Sequence, residues 1–192
     1  MTKAECRTIY KQKREALSIG ELAEGSRAIC KLLTDMDWKA VTYLHTYIPM
    51  VHKKEPDVWT FVQYFKDIYL QKKVVVSRSN LQDCSMQHFL FSNDSQLEVN
   101  AWGILEPTGG ETVSAKLLDV VLVPLLACDV KGNRVGYGKG FYDRFLSECH
   151  PDCRKIGVSF FEPMEELIDD VSSLDIPLDE VIFPKGIQQL YK

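Results

Sequence analysis

Apolar positions along the chain switch between a helical and an extended spacing, and each switch marks an element. Thr2 and Glu5 have the spacing of a capping box, in which a hydroxyl and a carboxylate satisfy each other's backbone N–H groups at a helix start. Ser18 and Glu21 repeat it ahead of a second helix carrying Ile19, Leu22, Ile29 and Leu33. Ala40 to Ile48, with Val41 and Tyr43 among its β-formers, predicts a strand. From Asp57, residues Val58, Phe61, Val62, Phe65, Ile68 and Tyr69 fall on one stripe of a third helix. Val74, Val75 and Val76 then make a short apolar run, as in a strand buried on both faces. Strand, helix and strand in that order require a parallel pair.

The second half continues the alternation. Gln87 to Phe91 predicts a strand, and Trp102 to Pro107 an ordered loop. Val120 to Pro124 is the clearest buried strand; a glycine-rich loop follows, then a helix from about Lys139 to Cys149. Lys155 to Phe160 and Val181 to Phe183 predict the last two strands. The expected fold class is α/β: a three-layer α/β/α arrangement around a mostly parallel central sheet, Rossmann-like. No repeat, low-complexity tract or long linker divides the chain, so residues 1–192 are expected to form one domain.

Composition narrows the function. No uncharged stretch approaches the ~20 apolar residues of a spanning helix, and Met1 to Arg7 lacks the apolar segment of a secretory leader. With 23 basic and 27 acidic residues, the net charge of -4 does not favour nucleic acid as a partner. The 6 cysteines are irregularly spaced, and Cys149-His150-Pro151-Asp152-Cys153 supplies too few ligands for structural zinc. These features predict a cytoplasmic protein with reduced thiols, off the membrane. The charge is uneven, however. Lys3, Arg7, Lys11, Lys13 and Arg14 stand against Glu5 alone at the start, whereas residues 162–180 hold acids and no base.

The segment Gly132-Asn133-Arg134-Val135-Gly136-Tyr137-Gly138-Lys139-Gly140-Phe141-Tyr142-Asp143 carries the most chemistry. It follows a buried strand and opens a helix, where open parallel sheets bind ligands. Glycines admit a ligand close to the backbone, and the first N–H groups of a helix favour an anion. Arg134 and Lys139 add positive charge, so the segment predicts a phosphate site. It matches neither a Walker A loop nor the dinucleotide pattern, because Asn133 and Phe141 occupy positions that those motifs reserve for glycine. The plainer reading is a tight β-to-α turn with a basic surface. Asp143 near a bound phosphate would repel it unless a divalent cation stood between, and Mg²⁺ held by carboxylates and phosphate oxygens meets that need. Asp175-Ile176-Pro177-Leu178-Asp179 offers a second carboxylate at a turn before the last predicted strand. Lys3, Arg7 and Lys11, four apart, share a helix face that either is solvated or folds over a polyanion.

Val123-Pro124 together with Asp129 to Asp143 resembles the signature of the 5-formyltetrahydrofolate cyclo-ligases, or methenyltetrahydrofolate synthetases. Lys3-x3-Arg7, a Glu after the first strand, Ile104-Leu105-Glu106-Pro107 and Asp175-x-Pro-Leu-Asp179 follow in the family's order, so the resemblance covers nearly the whole chain. It implies an enzyme that uses ATP and Mg²⁺ to close 5-formyltetrahydrofolate to 5,10-methenyltetrahydrofolate; the chain is expected to be a monomer, and its substrate to occur with or without a polyglutamate tail. Carried over by position, Lys3, Arg7 and the run Arg134, Val135, Gly136, Tyr137, Gly138, Lys139, Gly140, Phe141 and Tyr142 would bind ATP. Met50, Glu55, Tyr137, Gly138, Lys139, Gly140 and Phe141 would border the folate, and Asp143 and Asp175 would hold the metal. Lys139, Arg134 and Tyr142 would serve catalysis, with Lys139 and Arg134 stabilising the transferring phosphoryl group. Two other readings stay open: an α/β enzyme acting on another phosphorylated small molecule, such as a sugar-phosphate isomerase, and a nucleotide- or folate-binding module without catalysis. The histidines have no evident Ser or Cys partner, and Trp102 could stack on a flat ligand or anchor its loop.

Overall fold

A computed structural model describes residues 1–92 and 94–191. Helices α1 (Lys3–Ala16) and α2 (Ile19–Asp35) both begin on complete capping boxes. The Glu5 carboxylate accepts the Thr2 N–H at 2.8 Å, and Glu21 accepts that of Ser18 at 2.8 Å. Helix α3 (Trp59–Ile68) starts two residues after Asp57, whose carboxylate accepts the Trp59 N–H at 2.9 Å. Helix α4 (Phe141–Glu148) begins later than the expected Lys139, because Gly140 caps it in a left-handed conformation.

The central sheet has seven strands: β1 (Tyr43–His45), β2 (Lys73–Asn80), β3 (Ser85–Leu90), β6 (Val120–Pro124), β9 (Arg154–Val158), β10 (Glu180–Phe183) and β11 (Gly186–Gln189). Their spatial order is β11-β10-β9-β6-β1-β2-β3. The five inner strands are parallel, and β3 and β11 add antiparallel edges. Two small hairpins stand outside it, β4 (Leu97–Val99) with β5 (Leu105–Pro107) and β7 (Ala127–Cys128) with β8 (Arg134–Val135).

Side chains of β6 divide between the faces with the period of 2 expected of a strand. Val120 and Leu122 pack with Leu33 of α2 and Phe61 of α3, while Val121 and Val123 pack with Phe145 and Leu146 of α4. Helices on both faces give the three-layer arrangement expected. Helix α1 lies apart, its Cys6 and Tyr10 packed on Leu126, Ala127 and Val135 around the β7–β8 hairpin.

Three expectations are corrected. The strand placed at Ala40 to Ile48 shrinks to Tyr43–His45, because Val41 bonds back to Trp38 in a turn and the chain leaves the sheet after Thr46. The Trp102 to Pro107 loop ends in β5, which pairs with β4. The strand at Val181 to Phe183 is not the last: β11 turns back beside it, and just past its end the Leu190 N–H donates to the Asp179 carbonyl at 3.0 Å.

Gly132 fixes the spacing between the glycine-rich segment and the turn before β10. Its φ is +81°, its carbonyl accepts the Leu178 N–H at 2.9 Å, and an added Cβ would stand 2.5 Å from the Leu178 carbonyl oxygen. Gly132→Ala is therefore expected to cost roughly 2 kcal/mol or more in urea denaturation. Gly186→Ala, with no neighbour within 4 Å, should change stability by no more than about 0.5 kcal/mol.

Candidate active site

The strand order reverses between β1 and β6: from β1 the chain runs outward through β2, and from β6 outward through β9 and β10. At such a switch point the connections leave in opposite directions, and a crevice opens beyond the carboxyl ends of the strands. Here it is a cleft of about 760 Å³, bordered by Thr46 to Ile48 beyond β1, Ser77 and Ser79 of β2, and Pro124 at the end of β6. Three further elements close over it: α1, the loop from Gly136 to Phe141, and the β4–β5 hairpin bearing Trp102.

The stripe of α1 delivers Lys3, Arg7 and Lys11 to the cleft. Arg7 Nε donates to the Gly136 carbonyl at 2.9 Å, and its guanidinium lies against Gly138. At φ +86°, and with Arg7 3.2 Å from where a Cβ would stand, position 138 favours glycine. Gly136, Tyr137, Gly138, Lys139, Gly140, Phe141 and Tyr142 all line the cleft. Val135 does not: its side chain is buried with Cys6 and Tyr10, because β8 turns that face into the core beneath α1.

Both expected metal carboxylates border the cleft, each already beside a cation. Asp143 Oδ1 accepts from Arg134 Nη2 at 2.6 Å and from the Ile176 N–H at 3.2 Å. Asp175 Oδ2 accepts from Lys3 Nζ and from the Ser172 N–H. Partial burial raises the Asp175 pKa, but the Lys3 and Ser172 hydrogen bonds and the Arg134 charge together hold it below the usual carboxylate range. Burial lowers the Arg134 pKa, opposed by Asp143 and Asp175. Among the described residues, no hydrogen bond ends on Asp143 Oδ2 or Asp175 Oδ1.

At the other end, Glu55 is 7 % exposed and borders the cleft with Met50. Its carboxylate accepts the Met50 N–H at 2.9 Å and the Tyr137 hydroxyl at 3.2 Å. Burial pushes its pKa up, while Met50, Arg14, Tyr137 and Lys53 pull it down. Lys54 anchors this segment by donating to the carbonyls of Glu15 and Leu17 at 2.6 and 2.8 Å, where the last turn of α1 leaves acceptors unpaired. The Tyr137 and Tyr142 phenols are raised well above their ordinary pKa, by burial first and the Glu55 charge next.

Other lining groups were given no assigned site role by the sequence. Trp102, 43 % exposed, meets Phe141 edge-on at 6.1 Å, and the Lys139 ammonium stands 5.8 Å from its ring. It therefore lines the cleft and also ties its hairpin to the start of α4. Glu106 of β5 holds the hairpin down through the Ser79 N–H and Asn100. His45 and Ser77 also border the cleft. His45 Nε2 and His88 Nδ1 lie 2.7 and 2.8 Å from the Ser77 hydroxyl, which can donate to one only, so the other ring must donate to it. Both rings pack on Phe145. Burial holds His45 well below its ordinary pKa, with the His88 charge adding to this, and lowers His88 to about 4. Arg78, by contrast, bonds to Thr108 and Gln87 away from the cleft.

The model of the 5-formyltetrahydrofolate cyclo-ligase family matches residues 1–184. The mouse 5-formyltetrahydrofolate cyclo-ligase is 27% identical over 190 residues, covering 92% of this chain and 91% of that protein. The Escherichia coli K12 protein of the same name is 29% identical over 191 residues, covering 93% and 98%. Among solved structures, Aquifex aeolicus 5,10-methenyltetrahydrofolate synthetase superposes with a TM-score of 0.82 at 29% identity, covering 100% of this chain and 94% of that one. The Mycoplasma pneumoniae synthetase gives 0.74 at 25% identity, covering 95% and 98%.

The histidine pair predicts a pH dependence. Both rings have folded pKa values below the unfolded value of 6.5, so the unfolded chain binds more protons as pH falls through that value. Their contribution to stability is complete above pH 6.5 and is lost as pH falls toward about 4, the value for His88. Urea midpoints should therefore fall more steeply across this window in the wild type than in His88→Leu. Equal slopes would show that the pair is not held neutral.

Proposed function

We propose, from the premise that the chain belongs to the 5-formyltetrahydrofolate cyclo-ligase family, that it closes 5-formyltetrahydrofolate to 5,10-methenyltetrahydrofolate, converting ATP to ADP and phosphate. The observation that carries this reading is the convergence of the α1 cations, the Gly136–Phe141 loop, two carboxylates and Glu55 on one switch-point cleft.

The formyl oxygen of a formamide is a poor leaving group, so nitrogen 10 cannot expel it as hydroxide. Transfer of the ATP γ-phosphoryl to that oxygen makes it part of a phosphate ester. Nitrogen 10 then attacks the formyl carbon, its proton is lost, and the carbon–oxygen bond breaks to release phosphate and leave the methenyl cation. Such a sequence asks the protein to position two reactants and to offset negative charge.

The residues divide along those tasks. Lys3, Arg7 and the backbone N–H groups from Gly136 to Phe141 take the triphosphate, with Lys11 at the rim. Lys139 and Arg134 stabilise the transferring phosphoryl, with Tyr142 beside them. Glu55 accepts the paired N–H donors of the pterin edge, and Met50, Tyr137, Phe141 and Trp102 wall the flat part of the folate. The unengaged oxygens of Asp143 and Asp175 suit Mg²⁺, which takes few protein carboxylates and completes its shell with phosphate oxygens and water. When bound there the ion offsets phosphate charge. The described residues contain no helix long and apolar enough to cross a membrane, and the 6 cysteines are unbridged. Both support a cytoplasmic enzyme, which we take to be a monomer that binds neither nucleic acid nor membrane.

Purified protein with ATP, Mg²⁺ and 5-formyltetrahydrofolate should develop the methenyl absorbance, and omission of any one should abolish it. No absorbance with all three present would refute the assignment. Lys139→Ala should lower kcat about 10²- to 10³-fold, the scale of removing one preorganised charge-stabilising donor. Unchanged turnover would take Lys139 out of the phosphoryl-transfer step.

A further inference from the structure

One charged side chain under the cleft serves none of these tasks directly. Arg14, the next member of the α1 stripe after Lys11, is 2 % exposed and does not line the open space. Its Nη2 donates to the Leu125 carbonyl, at the turn that follows β6, and its Nη1 donates to the Tyr137 hydroxyl at 3.2 Å. That hydroxyl in turn donates to Glu55 Oε1. A buried cation and a buried carboxylate are thus joined through one phenol that itself borders the cleft.

We propose that Arg14 is a positioning residue for the folate: through Tyr137 it keeps Glu55 ionised and fixed toward the cleft, so that the carboxylate can accept two N–H donors from the pterin edge. This inference rests on the reading of the cleft as a folate site.

A carboxylate this deeply buried takes up a proton unless the surroundings offset its charge. The groups facing Glu55 come from five segments. They are Arg14 of α1, Lys53 and the Met50 N–H of its own loop, Tyr47 beyond β1, and Tyr137 and Tyr142 of the glycine-rich segment and α4. The three phenols are neutral, and burial raises the pKa of each. Lys53 is exposed, so water screens its charge. Arg14 is the buried charge among them, and a guanidinium does not lose its proton in a protein. Protonated Glu55 would be one donor and one acceptor, a mismatch for a ligand edge that presents two donors.

The test uses the full chain with Arg14→Met, Arg14→Lys and Arg14→Gln, each checked for folding by circular dichroism. In ligand-free protein carrying ¹³C-carboxyl glutamate, Arg14→Met should move the Glu55 titration upward by about one pH unit or more. The acidic limb of the pH profile of kcat/KM for 5-formyltetrahydrofolate should move by the same amount, so that activity returns toward wild type at high pH. KM for ATP should stay within about twofold. Arg14→Lys should fall between. An unmoved Glu55 titration overturns the proposal, as does a loss uniform across pH and shared by both substrates, which is what a mere strut would give. Should Arg14→Met not fold, Arg14→Gln, which keeps a donor but carries no charge, decides: a raised Glu55 titration supports the proposal and an unmoved one overturns it. The carboxyl titration needs no turnover, so a failed link to Arg14 is distinguishable from absence of the methenyl product in wild type.

Discussion

The reversal of strand order between β1 and β6 is the constraint from which the rest follows. Parallel strands need crossover helices, and those crossovers place α3 on one face and α4 on the other, so the connections at the reversal cannot cover the strand ends. The polypeptide beyond β1 and β6 is left to form walls, and every charged group of the site is brought there by a segment outside the sheet. The sheet therefore supplies a fixed rim, and α1, the glycine-rich loop and the β4–β5 hairpin supply the chemistry.

Those segments arrive with their charges partly matched. Lys3 lies on Asp175 and Arg134 on Asp143, with both carboxylates partly exposed. Each carboxylate also borders the cleft, so an incoming charge can take the place of its partner without leaving a partly buried member unmatched. A triphosphate entering with its cation would replace each carboxylate as the neighbour of a lysine or arginine, and each carboxylate would gain the metal ion. The pairing holds side chains near the positions they need without fastening them. The Arg14–Tyr137–Glu55 chain differs because it is buried: an unmatched member there would bear a large desolvation cost, so its geometry is held far more firmly.

Features that depend on near neighbours were legible in the sequence. The two capping boxes, the stripe of α3, the apolar run of β6 and the glycines ahead of α4 each state their structure within a few residues. The resemblance then brought together site residues that spacing alone kept apart. The elements that were missed depend on distant partners. Leu105-Glu106-Pro107 has neither the length nor the alternation of a strand and becomes one because β4 lies beside it. Gly186 to Gln189 carries a single apolar residue and pairs only through its hairpin with β10. Arg14 follows the spacing of the α1 stripe, and yet its partner stands 123 residues away, so its burial could not be foreseen. Val135 sits among residues that line the cleft, but strand alternation turns it inward.

The charge states of the buried groups also agree with the proposed phosphoryl transfer to a substrate oxygen. A side chain that is to act as nucleophile or proton carrier near neutrality needs a pKa close to the working pH. The buried phenols and imidazoles here are displaced away from it: Tyr137 and Tyr142 upward, and His45 and His88 downward. Cys128, at the foot of the β7–β8 hairpin, is raised as well, by burial and the charge of Asp129. Each is thereby confined to donating or accepting hydrogen bonds in one protonation state. In the proposed function the charges that remain are the cations Lys3, Arg7, Lys11 and Lys139 for the phosphates, and the carboxylates Asp143, Asp175 and Glu55 for metal and pterin. Such a cleft can hold two reactants in line and offset the charge that passes between them, and it leaves bond making to the reactants themselves.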